Sequence, residues 1–61
     1  MNEQLKAARE ARGWTQEHVA SILDVDLRNY RRWETGRASP QLYNLEKLCR
    51  LFRKSREELG F

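Results

Sequence analysis

The stretch LRNYRRWET, residues 27–35, decides the fold of this chain. Wound as a helix at about 100° per residue, it places Tyr30, Trp33 and Glu34 on one side and Arg28, Arg31 and Arg32 on the other, with Leu27 and Asn29 at the margins. One side is built to be buried, the other to meet something anionic. Asp26, just ahead, has an N-cap side chain that can accept from the free N–H groups of the first turn; Gly36, just behind, is able to adopt the positive φ that closes a helix. The segment is therefore a short helix with defined ends. Residues 28–37 hold four Arg and one Glu, net +3, while the rest of the chain balances eight basic against eight acidic groups. The whole positive excess lies on and just after one helix.

Working outward toward the N-terminus, Asp24, Val25 and Asp26 form a three-residue connection rich in turn and cap residues. Before it, Thr15 can cap a second helix that carries Gln16 and Glu17 in its first turn and buries Val19, Ala20 and Leu23. Two short helices joined so tightly, the second Arg-rich, make a helix-turn-helix pattern spanning about residues 15–35. Residues 3–12 predict a first helix with Asn2 as cap, Gly13 as stop and an apolar side of Leu5, Ala8 and either Ala11 or Arg12. Arg9 follows that side at its edge, where the residues alone read as a solvated arginine. Toward the C-terminus, Ser39 and Pro40 read as N-cap and N1 of a fourth helix whose apolar row is Leu42, Leu45, Leu48, Cys49 and Phe52. Ser55 and Glu58 have capping-box spacing and open a last turn that holds Leu59 and Gly60. The expectation is one all-α domain over residues 1–61, with five short helices around one core.

Composition excludes several function classes. At 61 residues the chain is near the lower size limit for a core without a metal or disulfide, and it has little room for an enclosed active site. A single Cys49 permits no internal disulfide, and with His18 alone beside it no zinc-binding set is present, so neither metal nor cofactor is expected. No apolar run approaches the roughly 20 residues that span a bilayer, and MNEQLKAARE lacks a signal-peptide core, so a soluble cytoplasmic location is expected. Ser21, Ser39 and Ser55 have no His and acid arranged to activate them, and no enzyme or small-molecule site is evident. His18 reads as a surface helix residue and Cys49 as an inert thiol in an apolar row. Trp14, Tyr30 and Trp33 read as core rather than as base-stacking platforms.

The run TQEHVASILDVDLRNYRRWETGRASP, residues 15–40, resembles the helix-turn-helix of the Cro and lambda-repressor-like family of bacterial and phage regulators. The matching pieces extend beyond it: R-x-x-R-G-W-T-Q from Arg9 to Gln16, V-A-x-x-L from Val19 to Leu23, W-E-T-G from Trp33 to Gly36, Pro40, and a tail L-x-x-L-x-x-L-C-x-x-F followed by S-x-x-E-L. The resemblance thus covers Leu5 to Leu59 and implies the family's compact five-helix domain. It implies that Leu27, Arg28 and Asn29, with Arg32 one turn later, stand at base-reading positions, that Gln16 contacts a DNA phosphate, and that Arg9 and Glu34 form a buried structural ion pair. The sequence departs from the pattern at Asp24, where Gly is usual, at Asp26, where Ser or Thr is usual, and at Arg53 and Lys54, which replace a Gly and an apolar residue.

With this resemblance, the Arg-rich side predicts a sequence-specific, double-stranded-DNA-binding transcriptional regulator of repressor-like type. Arg28 and Arg32 are of a kind to reach guanine O6 and N7 in the major groove, and Asn29 to read adenine or hold a phosphate. Leu27 can touch a thymine methyl or cover the core edge; Arg31 and Arg37 are placed for phosphates. So small a reader is expected to act as a homodimer on a palindromic site, with Leu59, Phe61 and the outer edge of helix four as contact candidates. Two alternatives stand beside this reading: a protein-interaction module on the same fold, with Asp24 and Asp26 in its favour, and the N-terminal module of a longer signal-sensing regulator.

Overall fold

Four helices, α1 (Glu3–Ala11), α2 (Gln16–Leu23), α3 (Leu27–Thr35) and α4 (Leu42–Phe52), make up the computed structural model, which describes Met1–Phe61. No strand is present. α3 packs against α1 and α2, and α4 packs against α2.

Local chemistry sets the ends of the first three helices. Asn2 Oδ1 accepts from Leu5 N at 3.0 Å, Thr15 Oγ1 from His18 N at 3.0 Å and Asp26 Oδ1 from Arg28 N at 2.8 Å, so each helix begins on a side-chain cap. α2 and α4 end on residues in the left-handed region that are not glycine, Asp24 (φ 57°) and Arg53 (φ 54°), whereas α3 ends on Gly36 (φ 77°). Holding an L side chain in that region costs about 1–2 kcal/mol relative to glycine, less for Asp, whose side chain tolerates it.

The core is Leu5 and Ala8 from α1, Val19, Ala20 and Leu23 from α2, Tyr30 and Trp33 from α3, Leu48 and Phe52 from α4, and Leu59. Trp14, Val25, Leu27, Cys49, Leu51 and Phe61 are half-buried around it. Trp14 bridges outward: its ring meets Phe52 at 5.8 Å and His18 at 5.5 Å, and the Arg12 guanidinium lies over it at 5.2 Å.

The structure corrects the sequence reading in five places. The expected fifth helix is a single turn over residues 56–60, closed by Phe61 N donating to Arg56 O at 2.8 Å. The reciprocal capping box is present, with Ser55 N donating to Glu58 Oε1 at 2.8 Å and Glu58 N to Ser55 Oγ at 3.1 Å, but Gly60 follows before a second turn can offset the cost of nucleation. Leu59, in that turn, is fully buried and contributes about 2 kcal/mol, so it belongs to the core and cannot serve as a dimer contact. Helix four starts not at Pro40 but at Leu42, with Gln41 in the extended N-cap position and no side-chain cap; Pro40 is a buried residue of the approach instead. Leu42 falls roughly 90° from the centre of the buried arc of α4 and in its first turn, and is 65% exposed rather than in the apolar row. Ala11 and Arg12 are likewise exposed, leaving Leu5 and Ala8 as the buried side of α1.

Asn2 ties the two ends of the chain together. While its Oδ1 caps α1, its Nδ2 donates to Leu59 O at 2.8 Å and its backbone N–H to Glu34 O at 2.8 Å. The fit leaves no room at Gly60 (φ 85°), where an added Cβ would come within 2.3 Å of Asn2 Oδ1.

Candidate nucleic-acid interface

The α2–α3 turn aims the Arg-rich helix. Asp24, left-handed, lets Val25 N return to Ala20 O at 3.0 Å, and Asp26 then caps α3 two residues later. At the other end Gly36 permits Arg37 N to donate to Arg32 O at 2.9 Å, which satisfies a free carbonyl of the last turn. α3 is held at both ends and along its inner side by Tyr30 and Trp33, whose rings meet edge-on at 5.8 Å.

Glu34 is the polar member of that inner side. Its carboxylate receives Arg9 Nε at 2.7 Å, Arg9 Nη2 at 3.2 Å and Gln16 Nε2 at 3.1 Å, while Arg9 Nη1 donates to Trp14 O at 2.9 Å. The side chains of Arg9 and Glu34 are 11% and 3% exposed, so the pair is withdrawn from water and clamps α1 to α3. Burial pushes the Glu34 carboxyl up, but the hydrogen bonds from Arg9, Tyr30 and Gln16 and the charge of Arg9 together outweigh it, and the group is held below the ordinary carboxylate value. The hydrogen bond to Glu34 raises Arg9 in turn, against the effect of its own burial. Tyr30 is raised chiefly by its burial and then by the neighbouring Glu34.

From Glu34 the polar chain continues outward. Gln16, the first residue of α2, donates to Glu34 through Nε2 and accepts from Arg31 Nε through Oε1 at 3.3 Å. The residue types settle the amide orientation, since the NH2 faces a carboxylate and the oxygen a guanidinium. Gln16 is half-buried and Arg31 exposed, so this chain runs from the domain's interior to its surface.

The other residues singled out in the sequence divide by environment. Arg28, Asn29 and Arg32 are exposed on the outer side of α3, and none of their side chains is engaged in an ion pair or hydrogen bond with the protein. Arg37 is exposed just past the end of the helix. Leu27 is half-buried and packs on the core, covering its edge at the start of α3. Asp24 and Asp26 are exposed at the same end. Sequence reasoning missed that Gln16 is engaged on both sides, and that Asn2 reaches Leu59; the cap at Asn2 was legible, but its second bond joins residues 57 apart in the chain. No group of His, Cys, Asp and Glu is arranged to hold a metal ion, and no helix is long and apolar enough to cross a membrane.

Comparison with known proteins agrees with this geometry. The profile of the helix-turn-helix family matches residues 5–59. Among curated proteins, the chain is 35% identical over 49 residues to the SPbeta prophage-derived uncharacterized HTH-type transcriptional regulator YonR of Bacillus subtilis (strain 168), an alignment covering 80% of this chain and 45% of that protein. The match therefore spans less than half the length of this relative. No solved structure gives a significant match. With the profile covering both halves of the turn, the recognition-type helix and the buried ion pair behind it, this chain belongs to the helix-turn-helix family.

Proposed function

We propose that this domain is a sequence-specific reader of double-stranded DNA that regulates transcription, with α3 in the major groove. The observation that carries the reading is the outer side of α3, where Arg28 and Arg32, flanked by Arg31 and Asn29, stand exposed opposite a side fixed by Tyr30, Trp33 and Glu34. A helix so held presents its outer face in one orientation, which is what base discrimination requires. Arg28, Asn29 and Arg32 read base edges, and Leu27, largely occupied with the core, offers at most a methyl contact at their border. Gln16, Arg31 and Arg37 serve backbone phosphates, which position the domain without reading sequence. The reading assigns no catalysis and places the protein with DNA in the cytoplasm.

Two copies on half-sites about one helical turn apart complete the proposal, because one short helix offers few base contacts. Leu42 and Tyr43, 65% and 70% exposed on α4, and half-buried Phe61 are candidate apolar residues for the contact. The YonR relationship supports a regulatory role, and its greater length supports this fold as a module to which further domains attach.

Selection from a random pool of duplex DNA at low salt, followed by affinity measurement against scrambled duplexes over a salt series, tests the reading. A palindromic winner bound far more tightly than scrambled DNA supports it and gives the half-site spacing. Equal, weak binding to every duplex overturns sequence reading. The exposed Asp24 and Asp26 favour a second reading, a protein-binding surface on the same helix. That alternative predicts a shallower dependence on salt than the several log units per log unit that phosphate contacts produce.

A further inference from the structure

We propose that Gln16 is a positioning residue for Arg31: its amide, clamped between the buried Glu34 carboxylate and the Arg31 guanidinium, fixes Arg31 so that its two terminal nitrogens grip one DNA phosphate. The inference rests on the DNA-binding reading above and changes how one of its residues acts.

The geometry has three parts. Gln16 Nε2 is held by Glu34 at 3.1 Å, and Glu34 is itself immobilised by two bonds from Arg9, so the amide is a rigid platform rather than a mobile surface group. The platform's oxygen takes the Nε–H of Arg31 at 3.3 Å. An arginine anchored by Nε keeps both Nη groups free as a forward-facing pair, the half of the guanidinium fork that matches two phosphate oxygens. Arg28 and Arg32 have no such anchor, which separates them from Arg31 although all three are exposed on the same helix. An unanchored arginine must lose rotamer freedom when it binds; Arg31 has lost part of it already. The Gln16 amide, bonded on both sides, is left with only one free N–H and one lone pair to offer a phosphate directly.

A double-mutant cycle on the whole chain tests this, using a scrambled 20-base-pair duplex as the phosphate probe over a salt series, with melting temperature measured for each variant. Arg31→Ala is expected to lower affinity by about an order of magnitude at 0.1 M salt and to reduce the log–log salt slope by about 0.9, the signature of one lost phosphate. Gln16→Ala, and Gln16→Met as a variant that preserves the packing of the stem, are expected to lose affinity about threefold and to flatten the slope in part. In the Arg31→Ala background neither Gln16 change should weaken binding further. A purely structural role at Gln16 would move the melting temperature but not the salt slope.

If Gln16→Ala costs the same factor with and without Arg31, Gln16 touches phosphate itself: the positioning role is overturned and the DNA reading stands. An unchanged affinity in both Gln16 variants also overturns it. Failure of the unaltered protein to bind any duplex overturns both.

Discussion

The two sides of α3 belong to one nine-residue helix and share almost no chemistry. On the inner side Trp33 and Tyr30 fill the core and Glu34 has both carboxylate oxygens engaged by side chains from two other helices. On the outer side the exposed side chains of Arg28, Asn29 and Arg32 make no hydrogen bond or ion pair with the protein. The inner side therefore determines where the helix lies, and the outer side is free to be shaped by whatever the helix meets. Stability and binding should separate cleanly by face, with Arg31 and Gln16 as the seam.

The largest effect should come from the inner side. Glu34→Ala leaves Arg9 buried without its partner, a loss of about 3–5 kcal/mol. A core of this size rarely supplies more than about that much in total, so the variant should be unfolded by circular dichroism at room temperature. A cooperative melt close to that of the unaltered protein would show that the ion pair is dispensable and that aromatic packing alone seats α3. Outer-side substitution should do the reverse. Arg28→Ala is expected to leave the melting temperature within a degree or two, while removing about 1–3 kcal/mol of discrimination between the preferred duplex and a scrambled one. Unchanged affinity for the preferred duplex would remove Arg28 from the base-reading set.

Of the two sides of α3, acid should act on the inner one. The Glu34 carboxyl is held below its ordinary value of 4.5 in the folded protein, so below about that pH the unfolded chain binds more protons than the folded one. Stability is complete above that pH and falls as pH drops through the folded value. Glu58, held down by its capping bonds to Ser55, acts in the same direction from a fully exposed site. Urea midpoints measured from pH 7 to 3 should therefore decline on acidification, and Glu34→Gln should flatten most of that decline while Glu58→Gln flattens little. An undiminished acid slope in Glu34→Gln would move the coupling elsewhere.

The sequence exposed the faces and ends of helices well and the long-range polar bonds poorly. The capping bonds of Asn2, Thr15 and Asp26 reach three or fewer residues along the chain and Gly36 closes the turn just before it, and the 3.6-residue period distinguishes Trp33 from Arg32 unaided. The Arg9–Glu34 pairing crosses 25 residues; on its own residues Arg9 read as solvated, and only the family resemblance linked the two. The engagement of Gln16 had no local signal, because a glutamine at a helix start looks the same whether its amide faces a carboxylate or water. The outward placement of Leu42 follows from where α4 begins, two residues after the buried Pro40, a boundary that the Ser39–Pro40 cap signal does not mark.

The smallest effects would sharpen the contrast at the helix ends. Asp24 and Arg53 occupy the same left-handed conformation, φ 57° and 54°, and neither side chain makes a hydrogen bond within the protein. Replacement by glycine should therefore stabilise at both positions by up to about 1 kcal/mol, more at Arg53 because Asp tolerates the conformation better. Binding should distinguish them. Asp24 carries negative charge on the turn that leads into α3, so Asp24→Gly should raise affinity for duplex DNA, most of all at low salt where screening is weak. Arg53, after α4, gives up a positive charge, so Arg53→Gly should stabilise the fold with unchanged or slightly lower affinity. A gain in affinity at Asp24 that persisted undiminished at high salt would mean that the turn's geometry, rather than its charge, limits how α3 meets its target.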